Sequence, residues 1–162
     1  EAHVLKALQA YFKGMLEDFI QVNEMQGTEL LEFGEDMSHA SQKAEERLGF
    51  PLVKSIVFVV DRQPCMVILS CRHRVSRQKL KGLFNAQHVH LAEESEVEEI
   101  TGYEVGAVPP ISVYGVKTLI DTHVTSLQTV LAGGGKKNRL LKIPVSEIQR
   151  MAFECEVRDV AE

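Results

Sequence analysis

Cysteine is scarce and poorly spaced for its usual structural roles. The 162-residue chain holds three, Cys65, Cys71 and Cys155. The number is odd and no two form a CxxC pair, which argues against a disulfide framework and a structural zinc site. A reducing compartment with buried, inert thiols is the expectation. Long apolar runs are missing too. No stretch approaches the roughly 20 apolar residues needed to span a bilayer. No signal peptide is visible, in a chain that begins at Glu1 without Met. There is no excess of positive charge: the net charge of −5 argues against non-specific coating of nucleic acid, although a local basic face stays open. Among the six histidines, His88 and His90 would share a strand face, but HxH alone is a weak ligand set. No nucleophile elbow and no serine or cysteine triad is legible. The expectation is a cytoplasmic protein with no membrane attachment, no metal and no cofactor.

What is present is ordinary for a globular domain, with 44% hydrophobic and 25% charged residues. The length suits one domain over 1–162. The most informative stretch is Thr101–Pro110, TGYEVGAVPP. Gly102 and Gly106 can take backbone angles that side chains disfavour. Pro109 and Pro110 fix φ and remove two donors. The stretch reads either as a stiff helix-to-strand turn or as a shaped loop whose backbone at Gly106 can be approached closely. Lys54 directly precedes the apolar run SIVFVV. It reads as a solvated strand stop or as a cation aimed into a pocket. Gly133–Gly135 precedes Lys136 and Lys137. This is no Walker motif; it is a glycine-rich hairpin turn or a set of amides for a phosphate. Arg72–Lys81 is basic and Glu93–Glu99 acidic. That segregation reads as a charged surface or as a local RNA-binding face.

Apolar spacing of three and four predicts an amphipathic helix over Glu1–Phe19. A short strand is expected at Thr28–Phe33. A helix capped by Ser38 should run to about Leu48, with Gly49 as its stop. Ser55–Val60 and Cys65–Leu69 read as a buried hairpin turning at Asp61–Pro64. A helix should end near Gly82–Phe84, and His88–Leu91 alternates as a strand. Further strands are expected at Val113–Ile120, Thr129–Ala132 and Leu140–Ile143. A last helix should follow from Pro144 to about Ala152, with Phe153–Val157 closing the sheet. The fold class is α+β, with a mixed, partly closed, barrel-like sheet and surrounding helices.

The pieces SHASQKAEERLG, Leu52-Val53-Lys54-Ser55, TGYEVGAVPP, LIDTHV and LAGGGKKNRLLKIPVSEI occur in an order that resembles the YbaK-type aminoacyl-tRNA deacylases. That superfamily includes the editing insertion domain of bacterial prolyl-tRNA synthetases and free-standing relatives. The resemblance covers roughly Ser38–Ile148 and leaves residues 1–20 as an N-terminal helical extension. It implies hydrolysis of the ester between a mischarged amino acid and the terminal ribose of tRNA, without metal or covalent intermediate. Lys54 and Gly106 are the implied catalytic positions, and the substrate's own ribose hydroxyl is implied to assist. The pocket would be formed by Thr101, Gly102, Val108, Pro109, Asp121, Gly133 and Gly134. Charge alone nominates Arg72, Arg74, Lys136 and Lys137 as tRNA contacts. The implied partners are the aminoacylated tRNA end and an aminoacyl-tRNA synthetase, not DNA. The expected function is a free-standing trans-editing deacylase. A non-catalytic tRNA- or synthetase-binding module of the same fold is the alternative, and an interaction protein using the first helix is the third reading. Three departures bear on specificity. A histidine used by some synthetase-embedded members has no secure counterpart here. Arg72 stands where relatives often carry an acidic residue, and Ile111-Ser112 stands where many continue with Phe-Gly.

Overall fold

The computed structural model describes residues 14–32 and 41–162. Most of the helix expected over Glu1–Phe19, and the Ser38 cap, lie outside them. The first described helix, α1, spans Leu16–Val22, so it runs past Phe19. Leu16 and Phe19 are 2% and 1% exposed and belong to the main core. Burying two such side chains contributes about 1.5–3 kcal/mol each. This helix is therefore part of the domain's packing.

The hairpin lies where the β-branched runs place it. Strand β2 (Val53–Val60) pairs antiparallel with β3 (Gln63–Ser70). The turn is Asp61-Arg62, with φ of 44° and 71°. Positive φ at both central residues matches the twist of the flanking strands. From Cys65 to Ser70 every residue of β3 is buried.

Two further strands flank the chain's central region. Strand β1 is Glu29–Glu32 and β4 is Val89–Leu91. Helix α2 is Ser41–Leu48. Helix α3, Arg77–Phe84, starts at Ser76, whose side chain accepts from Lys79 N at 3.1 Å. Helix α4, Glu94–Thr101, starts with a Glu93–Glu96 capping box and stops at Gly102, at φ 83°.

Strand β5 is Lys117–Asp121, shorter than the Val113–Ile120 expected. Ser112 and Gly115 sit at φ 64° and 80°, angles no extended strand can include. A 3₁₀ turn over Thr122–Ser126 follows, then β6 (Thr129–Gly133) and β7 (Arg139–Pro144). Helix α5 is Val145–Met151 and β8 is Glu156–Arg158. The closing strand thus begins later than Phe153.

The class is α+β with a mixed sheet, as expected, but among the described residues the strands form two sheets and no closed barrel. The five-stranded sheet has the order β4-β2-β3-β5-β8 and the three-stranded sheet β1-β7-β6. In the larger sheet β5 is parallel to β3 and to β8. An isolated parallel bridge between Leu52 and Leu131 joins the sheets, with Leu131 N donating to Pro51 O at 2.8 Å. The main core includes Val57, Ile68, Ile120, Leu141 and Ile143. Leu80 of α3 covers Phe58, Val67 and Leu119 in a second cluster. Among the described residues no helix is long and apolar enough to cross a membrane.

Candidate active site at a split between the sheets

Strand β3 occupies one edge of β2. The other edge is shared by two partners. Just before β2, Leu52 bridges to Leu131 of β6. Further on, Phe58–Val60 pair with β4, and Ala92 N donates to Val57 O at 3.0 Å. Lys54–Ile56 fall between, where the described residues supply no paired strand. A strand edge left open inside a domain is a place where a ligand can reach backbone and side chains together.

Lys54 is half-buried at this split. Its positive charge acts on the thiol of Cys71. Burial nonetheless pushes that thiol up to about 11, against the pull of Lys54 and Arg72. At neutral pH roughly one part in 10⁴ is thiolate, so Cys71 is not an activated nucleophile. Ser55, the next residue, carries a buried hydroxyl with no hydrogen-bond partner among the described residues. Such a group costs about 1–3 kcal/mol until it is satisfied. Reasoning from sequence passed it over. The available signal was a serine opening an otherwise apolar run.

The TGYEVGAVPP loop is locked against the glycine-rich hairpin of β6 and β7. Gly135 N donates to Ala107 O at 2.8 Å. Gly133 lies so close to Val108 that a Cβ there would sit 2.2 Å from the Val108 carbonyl oxygen. Only glycine permits this approach. Gly133 follows Leu131 by two residues, as Lys54 follows Leu52, and the Leu52–Leu131 bridge is parallel. The bridge thus sets Leu52 beside Leu131, two residues before Lys54 and Gly133 in their own segments, and Gly133 in turn seats on Val108. Gly106, at φ 87°, is exposed at the rim. Ser112 holds φ 64° while 2% exposed, and its Oγ lies 2.9 Å from the Tyr103 hydroxyl. Burial raises Tyr103 to about 12, so the phenol stays protonated.

Gly133 and Val108 are thus in contact, Gly106 and Pro109 lie in the Val108 loop, and Lys54 stands two residues beyond the bridge that joins the sheets. Thr101 and Asp121 stand elsewhere. Thr101 is fully buried, and its hydroxyl donates to Val97 O at 2.7 Å and accepts from Tyr103 N at 3.0 Å. It ties the end of α4 together, and Gly102 is the cap of the same helix. Asp121 is 1% exposed. Its Oδ1 accepts from Val160 N at 2.8 Å and Ala161 N at 3.0 Å, and its Oδ2 pairs with His123 Nδ1. Burial by itself would raise this carboxyl, but the Val160 and Ala161 amides and the His123 charge together hold it below its ordinary value. His123 Nε2 in turn lies 2.8 Å from His73 Nδ1. Asp121 therefore anchors the C-terminal segment instead of forming a pocket wall.

The basic candidates form two separate loops. Arg72 is bound to Glu45, Nη2 to Oε2 at 2.5 Å, and Glu45 also accepts from Leu52 N at 2.8 Å. Arg74 is exposed nearby. Lys136 and Lys137 are exposed on the β6–β7 hairpin, with Lys137 3.7 Å from Glu104. Among the described residues no group of three or more His, Cys, Asp or Glu is placed to hold a metal ion. A separate cleft of about 380 Å³, lined by Val60, Pro64, Phe84 and Lys117, opens at the turn end of the hairpin, away from Lys54.

The described residues thus form a two-sheet α+β domain with a half-buried lysine beside an open strand edge and a loop contact that only glycine allows. The profile of the family described as aminoacyl-tRNA editing domain matches residues 35–151, more than half of the chain. The protein belongs to that family. The proline–tRNA ligase of Halalkalibacterium halodurans is 32% identical over 88 residues, covering 54% of this chain and 16% of that protein. The Lactobacillus acidophilus ligase is 30% identical over 105 residues, covering 62% and 19%. The chain thus spans less than a quarter of the length of these curated relatives. The crystal structure of hypothetical protein APE2540 matches with a TM-score of 0.78 and 26% identity, over 91% of this chain and 99% of that one. A candidate trans-editing enzyme for prolyl tRNA synthetase shares the fold, with a TM-score of 0.79, 21% identity and 97% coverage of each chain.

Proposed function

We propose that this protein is a trans-editing aminoacyl-tRNA deacylase, hydrolysing the ester that links a mischarged amino acid to the terminal ribose of tRNA. The observation that most supports this reading is membership of the editing-domain family, with the close seat of Gly133 on Val108 and the Leu52–Leu131 bridge two residues before Lys54 consistent with it.

Lys54 orients the tRNA end and offers positive charge where the ester carbonyl becomes an oxyanion. The absence of a bulky side chain at Gly106 leaves room for the aminoacyl group, and nearby amides place the attacking water. Water adds to the carbonyl carbon, the bond to the ribose oxygen breaks, and that oxygen takes the proton. An aminoacyl ester is activated, so positioning and electrostatics can suffice without a protein nucleophile. The protonated state of Cys71 favours this route over an acyl-enzyme. Lys136, Lys137 and Arg74 are available for phosphates, whereas Arg72 is first engaged by Glu45.

The test is deacylation of tRNAs charged with alanine, cysteine, serine or threonine, with tRNA binding measured in parallel. Turnover of one of them supports the reading. Binding without turnover of any contradicts it and favours a non-catalytic module of the same fold.

A further inference from the structure

We infer that Arg139 is a positioning residue for the site, braced by Glu17 of the N-terminal helix, so that α1 helps to set the geometry of the glycine hairpin. The inference rests on the editing reading and adds a residue to it.

Arginine is rarely buried unless paired. Arg139 is 5% exposed, and its guanidinium is used on several sides. Nε donates to Gly134 O at 2.6 Å. Nη1 pairs with Glu17 Oε1 and lies 4.0 Å from Glu32 Oε1. Nη2 packs against Gly135, 3.1 Å from where a Cβ on that glycine would stand. On its other side the same hairpin is fastened to the central loop through Gly135 N to Ala107 O and the close seat of Gly133 on Val108. The hairpin is therefore held between a buried cation and the Gly106–Pro109 loop. Glu17 supplies a counter-charge from α1, whose Leu16 reaches to 3.5 Å of the same Gly135 position.

A planar fork can hold Gly134 and Glu17 together, whereas a lysine ammonium cannot match both directions. Arg139→Lys keeps the charge and loses the geometry. The expected result is a fall in kcat of at least tenfold with KM and tRNA affinity within twofold of wild type. Glu17→Gln should lower kcat in the same direction by a smaller factor. Exchange of the Gly135 amide hydrogen, protected by Ala107 O, should quicken at least tenfold in Arg139→Lys while protection of β3 stays unchanged. Unchanged Gly135 exchange overturns the proposal whether or not the protein hydrolyses ester. A kcat loss accompanied by general loss of protection also overturns it, because the role is then only structural. Wild-type protein that turns over no charged tRNA refutes the editing reading, and the exchange result still decides the brace.

Discussion

Replacing Gly133 with alanine probes the packing of the two site loops with a single methyl. Gly133 ends β6 and its φ is not in the left-handed region, so alanine meets no backbone obstacle. The obstacle is Val108. The new Cβ would sit 2.2 Å from its carbonyl oxygen, 2.8 Å from its carbonyl carbon and 3.0 Å from the Ala107 carbonyl carbon. Real contacts hardly occur below 3.0 Å, so the loops must part by about 0.8 Å, and both partners are backbone. Overpacking of this kind costs about 1–3 kcal/mol. In a domain of this size that lowers Tm by about 2–12 °C. A displacement near 1 Å in a positioning site can cost about 100-fold in rate. The assays are calorimetry and single-turnover deacylation at a temperature well below the variant's Tm. Gly82→Ala is the control, since a Cβ at Gly82 meets nothing within 4 Å. In α3 it should raise stability by about 0.5–1 kcal/mol and leave the rate unchanged. Gly133→Ala with wild-type Tm and rate would refute the claimed contact between the loops.

Three further outcomes follow from the same geometry. Tyr103→Phe removes the 2.9 Å contact to Ser112 and should cost about 0.5–1.5 kcal/mol, read from urea denaturation; an unchanged midpoint would show that the hydroxyl pair contributes nothing. Asp121 has a folded pKa below its ordinary 3.8, so it contributes stability in full above that value and loses it as pH falls through the folded pKa. Wild-type Tm should therefore decline in acid, and Asp121→Asn should be less stable at pH 7 with a shallower acid decline; an identical acid profile would contradict the anchoring role. Lys136→Ala should weaken tRNA binding and reduce the log–log salt slope by about one, measured by titration at several salt concentrations; an unchanged slope would remove Lys136 from the interface.

Local chemistry was legible wherever it decides structure by itself. The β-branched run after Lys54 and the apolar run from Cys65 make the central hairpin, and the positive φ of Asp61 and Arg62 completes it. The acidic stretch caps and forms α4, and Gly102 stops it. What was not legible depends on residues far apart in the chain. The Leu52–Leu131 bridge and the gap it leaves beside Lys54 arise from two strands diverging, which no local pattern encodes. Val113–Ile120 has strand composition, yet Gly115 inside it takes a φ of 80° and the strand begins only at Lys117. Asp121 was a pocket candidate only through the family resemblance of LIDTHV. Its actual partners, Val160 and Ala161, lie about forty residues away. Of the site, the lysine and the glycines were readable as residue types. Ser55 was not, since an unsatisfied hydroxyl is a property of its surroundings.

The most direct test of the central claim is the deacylation rate of wild type beside Lys54→Ala, across tRNAs carrying alanine, cysteine, serine and threonine. The account predicts turnover of at least one substrate by the wild type. Removing the cation should lower that rate by about 10²–10³, the size of a lost oxyanion contact, with the fold intact by circular dichroism. Full activity in Lys54→Ala, or bound tRNA that the wild type never hydrolyses, would contradict it.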